Sequence, residues 1–188
     1  MIQPLKFKQA KIDAAPPETI TACVNLIVNP TGRALWNNTS YRCTLGSGGV
    51  SFRKEEGDGV TPAGVFELRR VYFRSDRLDA PRTGLPVAAL RPTDAWCDCP
   101  EHKNYNQHVT RPFDGHHELL WRDDNIYDLI VVISHNDQPV LRGKGSAIFI
   151  HVATPDYKDT KGCVAFSKPH LLKILEQWSI DCRLEIRP

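Results

Sequence analysis

The apolar positions of this 188-residue chain fall in short runs, most with a period of two. Residues 22–28, 33–37 and 40–45 read as strands of a meander, with Asn29-Pro30-Thr31-Gly32 as the turn between the first two. Gly-rich loops follow at 46–49 and 55–59, and a longer strand is expected over 64–72. The run LIVVIS at 129–134 is continuously apolar and β-branched, as a strand buried on both faces would be. Residues 147–150 form a second such run, ending at His151, and Val164 and Phe166 resume an alternating pattern. The period then changes. Ser167 is placed to cap a helix with Pro169 in its first turn. Leu171, Ile174, Leu175 and Trp178 follow at helical spacing and predict one buried face. Residues 183–187 alternate again as a last strand. Between 76 and 117 the chain is rich in proline and poor in apolar runs, a long excursion of the kind that often carries function. The pattern predicts a β-rich α+β fold: one domain over 21–188, preceded by an N-terminal extension at 1–20.

Composition narrows the function classes. The hydrophobic fraction of 41% and charged fraction of 24% are those of an ordinary globular domain. A net charge of +2 gives no argument for nucleic acid as a partner. No transmembrane segment is visible, and the first residues lack the continuous apolar core of a signal peptide. The expectation is a cytoplasmic protein, with a periplasmic location as the alternative if a signal has been removed. Six cysteines allow three disulfides but do not demand them in a chain of this size.

The densest chemistry lies between Gly143 and Phe166. A strand carrying His151, a polar loop, and Gly162-Cys163 at the head of the next strand can bring an imidazole beside a thiol. That pair is the minimum a cysteine nucleophile needs: the imidazole takes the thiol proton and later returns it. Gly162, lacking a Cβ, lets a substrate approach the backbone. The N–H groups of Gly162 and Cys163 are the candidate oxyanion donors.

Ile150-His151 followed by Thr160-Lys161-Gly162-Cys163-Val164 resembles the signature of L,D-transpeptidases with the YkuD-type catalytic domain. Upstream, Thr61-Pro62-Ala63-Gly64-Val65-Phe66 resembles the Thr-Pro-x-Gly-x-Phe segment of the same family. The order and separation of the two blocks agree with it. Three features differ: Ala165 stands where an Arg or Asn is usual, Lys161 where a His or Arg is frequent, and the spacer after His151 is short. The resemblance implies a β-sandwich-like mixed-sheet domain with its C-terminal helix near the cleft, needing no cofactor. It implies peptidoglycan stem peptides or soluble muropeptides as substrates and carbapenems as covalent inhibitors. Cys163 would attack at the L-centre of a diamino acid and release a terminal D-Ala. With water as acceptor the enzyme is an L,D-carboxypeptidase of muropeptide recycling; with an amine it is an L,D-transpeptidase. A non-catalytic peptidoglycan- or zinc-binding module is the alternative of another class.

Other residues stand around this pair. The family orients its histidine through a backbone carbonyl, so Asp156 and Asp159 read as solvated charges. Thr160, Lys161, Ser146, His135, Asn136 and Tyr105 are the candidate substrate-binding residues. Ser146 follows Gly143-Lys144-Gly145, which looks like a phosphate loop but lacks its spacing. By resemblance, Tyr105-Asn106 and Glu118-Leu119-Leu120-Trp121 frame a substrate wall. Cys97, Cys99 and the histidines at 102, 108, 116 and 117 contain enough ligands for zinc. Their spacings match no common zinc site, and a disulfide or free thiols are favoured; no metal is assigned.

Overall fold

The computed structural model describes residues 25–188. The expected extension at 1–20 and the start of the first strand lie outside the described residues. Three strands open the chain as an antiparallel meander: β1 (Leu26–Asn29), β2 (Arg33–Trp36) and β3 (Thr39–Thr44). Asn37 and Asn38 turn the second hairpin at positive φ (46° and 60°), which ends β2 one residue before the sequence pattern suggested. Short β4 (Val50–Ser51) and β5 (Thr61–Pro62) pair across the Gly-rich loops. The long β6 (Gly64–Phe73) pairs with β7 (Val87–Ala89).

The excursion is more ordered than its prolines imply. It folds β8 (Asp94–Cys97), β9 (His108–Thr110) and β10 (His117–Leu119) into a separate three-stranded sheet in the order β10-β8-β9. These strands are three or four residues long, too short to imprint a period on the sequence. β11 (Leu129–Ile133), β12 (Phe149–Val152), β13 (Val164–Phe166), α1 (Lys168–Leu175) and β14 (Arg183–Ile186) complete the chain. The main sheet runs β11-β12-β13-β3-β2-β1-β14-β6-β7, and a further β11–β6 pairing closes it on itself. Ser167 occupies the N-cap of α1, but its side chain makes no capping bond; Pro169 sits in the first turn. Trp178 lies beyond the helix end yet is 1% exposed. None of the described helices is long and apolar enough to cross a membrane.

Burial explains the continuously apolar strands. In β11, Leu129, Val131 and Ile133 join the large core, while Ile130 and Val132 join a second cluster on the opposite face. That second cluster contains Trp96 of the excursion and Leu120 just after it, so the three-stranded sheet is seated on the outward face of β11 and β12. Helix α1 packs into the large core through Leu171, Ile174 and Leu175 and touches β12.

Candidate active site

Strand alternation brings the two reactive side chains together. Ile150 and Val152 of β12 face the large core, so Phe149 and His151 face outward. Val164 and Phe166 of β13 also face the core, which turns Cys163 and Ala165 outward. The strands are parallel, with Ile150 opposite Val164 and His151 opposite Ala165. Cys163 is therefore the diagonal neighbour of His151 on the outward face. His151 lies inside its strand rather than at its end. The strand begins at Phe149, because Ala147 takes a left-handed conformation (φ 51°).

Both groups line one cleft of about 770 Å³. Cys163 is 7% exposed and His151 6%. Burial pushes the Cys163 thiol up to about 12 and the His151 imidazole down to about 4. At neutral pH the resting pair is thus a thiol and a neutral imidazole. The thiol donates to the Ala147 carbonyl (3.2 Å), and the Phe149 N–H reaches the sulfur (3.3 Å). His151 Nδ1 is 2.9 Å from the Val152 carbonyl, which requires the proton on Nδ1 and leaves Nε2 as the basic nitrogen. Asp156 is paired with Lys158 (3.3 Å) at the surface, and Asp159 is exposed.

The turn before Cys163 is tightly tied. Gly162 sits at φ 127°, and a Cβ there would lie 2.7 Å from the Val60 carbonyl oxygen. The Thr160 hydroxyl donates to the Cys163 carbonyl (2.7 Å) and accepts from the Gly162 N–H (3.1 Å). This corrects two expectations. The Gly162 N–H is engaged by Thr160, so only the Cys163 N–H of the two candidate oxyanion donors stands free among the described residues. Thr160 borders the cleft, but its hydroxyl serves the turn.

The remaining candidates divide. Lys161 is exposed at the cleft, and Ser146 lines it while donating to Glu56 Oε2 (2.7 Å). His135 and Asn136 do not reach the cleft. His135 bonds the Lys144 carbonyl (3.0 Å), and Asn136 clamps its own loop through Leu141 and Gly145. Tyr105 is 2% exposed, bonds Glu56 and stands behind the wall. Its neighbour Asn106 holds the Ala147 N–H (3.1 Å) and Trp96 Nε1 (2.9 Å), and so supports the carbonyl on which the thiol rests.

Sequence reasoning missed Tyr127, Glu56 and Arg122, all of which line the cleft. Tyr127 places its ring edge-on to His151 (5.5 Å) and donates to Glu118 Oε1 (2.7 Å). Arg122 is held on Asp124 by two bonds (2.9 and 2.6 Å). Only the cluster Trp121-Arg122-Asp123-Asp124 and the isolated Tyr127 before the apolar run at 129 signalled them. Cys97 and Cys99 are free thiols, so the disulfide considered for that segment does not form. His116 turns to Asp98 (2.5 Å) and His117 to the Gly115 carbonyl (2.7 Å). Among the described residues no group of three or more His, Cys, Asp or Glu is placed to hold a metal.

A buried Cys–His pair on adjacent parallel strands, behind a Thr-x-Gly-Cys turn, is the arrangement the sequence resemblance requires. Most of the chain agrees: residues 24–186 match the L,D-transpeptidase catalytic domain. The chain belongs to the YkuD family. The family performs cysteine-dependent acyl transfer on peptidoglycan peptides and is inhibited by carbapenems. No curated protein and no solved structure matches the chain.

Proposed function

We propose that this YkuD domain is an L,D-carboxypeptidase that trims stem tetrapeptides to tripeptides. Cys163 is the nucleophile and His151 the general base. The thiol leaves the Ala147 carbonyl and passes its proton to His151 Nε2. The sulfur then bonds to the carbonyl carbon at the L-centre of the diamino acid. The developing oxyanion faces the Cys163 N–H. The C–N bond breaks, His151 returns the proton to the departing amine, and the terminal D-Ala leaves. Water, deprotonated by His151, attacks the thioester; the C–S bond breaks and the thiol re-forms.

The observation that carries the choice of water is Ala165. It lies directly opposite His151 in the strand pair and lines the cleft, so a methyl group stands where the family usually has a long polar side chain. A methyl group there offers no polar group that could hold an amine acceptor beside the imidazole. A second reading, L,D-transpeptidation, is favoured by Cys182, which is disulfide-bonded. Disulfides persist in oxidising compartments, where an enzyme meets assembled wall rather than soluble muropeptides. Mass spectrometry of a disaccharide-tetrapeptide incubated with the protein, with and without a D-amino acid, separates the two. Tripeptide in both conditions supports carboxypeptidase action. Incorporated D-amino acid or a crosslinked dimer supports the second reading, and unchanged substrate rejects both.

A further inference from the structure

The carboxylates lining the cleft are not equivalent. Asp58 is paired with Lys54, Asp98 with His116, and Glu56 accepts from the hydroxyls of Ser146 and Tyr105. Asp159 lies in solvent. Glu118 differs from all of them. It is half-buried, and no Lys or Arg among the described residues forms an ion pair with it. Its Oε1 accepts from Tyr127, while Oε2 has no hydrogen-bond partner among the described residues. Burial raises its carboxyl above the usual range. Two cations favour its charged form from a distance without pairing with it: Arg122, which is bound to Asp124, and Lys161, which is exposed at the cleft.

A carboxylate withdrawn from water without a paired cation is unfavourable, and such groups in clefts mark ligand positions. The position of Glu118 is fixed. Its backbone is registered opposite Trp96 in the β10–β8 pair, and its side chain is anchored by Tyr127. The Tyr127 ring lies between this carboxylate and the His151 imidazole, so whatever meets Oε2 lies one aromatic ring from the reacting centre. Tyr127 takes one oxygen, which leaves a single acceptor and no fork for a guanidinium.

The geometry points to Glu118 as the subsite for a primary ammonium group on the acyl donor, with Tyr127 as its positioning residue. This rests on the acyl-transfer reading above, in which the donor's diamino acid carries a second, unreacted amine. Glu118 then selects donors whose side-chain amine is free and helps hold the L-centre carbonyl over Cys163.

The test separates recognition from turnover. Binding of two stem tetrapeptides, one with the side-chain amine free and one with it acetylated, is measured by calorimetry on Cys163→Ala and on Cys163→Ala/Glu118→Gln. The single variant should bind the free-amine peptide at least about tenfold more tightly, and the double variant should not discriminate. Tyr127→Phe in the same background keeps the carboxylate and should retain part of the preference, which excludes collapse of the wall as the cause. Equal binding of both peptides by Cys163→Ala overturns the inference, as does discrimination that survives Glu118→Gln. Turnover by the unmodified enzyme is scored separately, so a failed reaction with intact discrimination rejects the proposed function and not the subsite.

Discussion

Two of the three buried free thiols among the described residues lie on or beside the neighbouring strands β3 and β13, one on each face of the closed sheet. Cys43 on β3 is 4% exposed and faces the large core; Cys163 is 7% exposed and faces the cleft. Burial pushes both up to about 12. Acidity therefore does not distinguish the nucleophile from the packing residue. The surroundings do: Cys43 pairs with Phe166 in the β13–β3 register, whereas Cys163 shares its face with His151 and a cavity. The inward face supplies stability and the outward face chemistry. In the proposed mechanism the resting thiol stays on the Ala147 carbonyl until a substrate displaces it.

Exchanging the two thiols for alanine is the strongest way to break this contrast. Cys163→Ala should lower tripeptide formation by at least about 10⁴-fold while leaving the melting temperature nearly unchanged. Cys43→Ala should leave turnover within about twofold and cost about 1 kcal/mol of stability, read by chemical denaturation. Retained turnover in Cys163→Ala would remove the assignment altogether.

His151 shares the outward face with Cys163 and is buried there. His151→Gln should reduce turnover by roughly 10²–10⁴-fold. Its imidazole titrates near 4 in the fold, below the ordinary value, because burial disfavours the charged form. The unfolded chain takes up the proton first as pH falls. Stability is therefore intact above about 6.5 and is lost between about 6.5 and 4, by on the order of 3 kcal/mol from this group. The His151→Gln variant should lose less than the unmodified protein over that window; identical losses would show that the imidazole is not buried.

Legibility from sequence followed the length of each pattern. The meander, the doubly buried run at 129–133 and the helix at Lys168–Leu175 were visible because several residues repeat one period. The three-stranded sheet was not, since strands of three or four residues between prolines carry too little periodicity. Cys163 and His151 were visible because their motif is local. Tyr127 and Glu56 were not, because they reach the cleft only when the excursion and the Gly-rich loop fold against β12. Asn136 was misread for the opposite reason, and Thr160, though it borders the cleft, also serves its turn. Polar side chains beside a motif also satisfy the turns that hold it, as their bonds to Gly145 and Gly162 show.

The quiet thiol has a kinetic consequence. Iodoacetamide should modify Cys163 at least about tenfold more slowly than half-exposed Cys99 at pH 7, because the thiolate is the reactive form. The Cys163 rate should climb steadily from pH 7 to 10. A plateau from pH 5 upward would instead reveal a preformed thiolate–imidazolium pair, and the bond to Ala147 would not describe the resting enzyme. Carbapenems, which bind as acyl donors before reacting, should not share this handicap.

The smallest effect expected concerns the turn that leads into Cys163. Thr160→Val keeps the shape of residue 160 but removes the acceptor of the Gly162 N–H and the donor to the Cys163 carbonyl. Loss of both bonds should cost about 1–2 kcal/mol. Turnover should fall by roughly tenfold, because the freed Gly162 N–H no longer fixes the position of the Cys163 N–H that faces the oxyanion. The loss should appear in kcat with KM nearly unchanged, since the hydroxyl is engaged by the turn. A rise in KM alone would return Thr160 to the substrate-binding role that its place in the sequence first suggested.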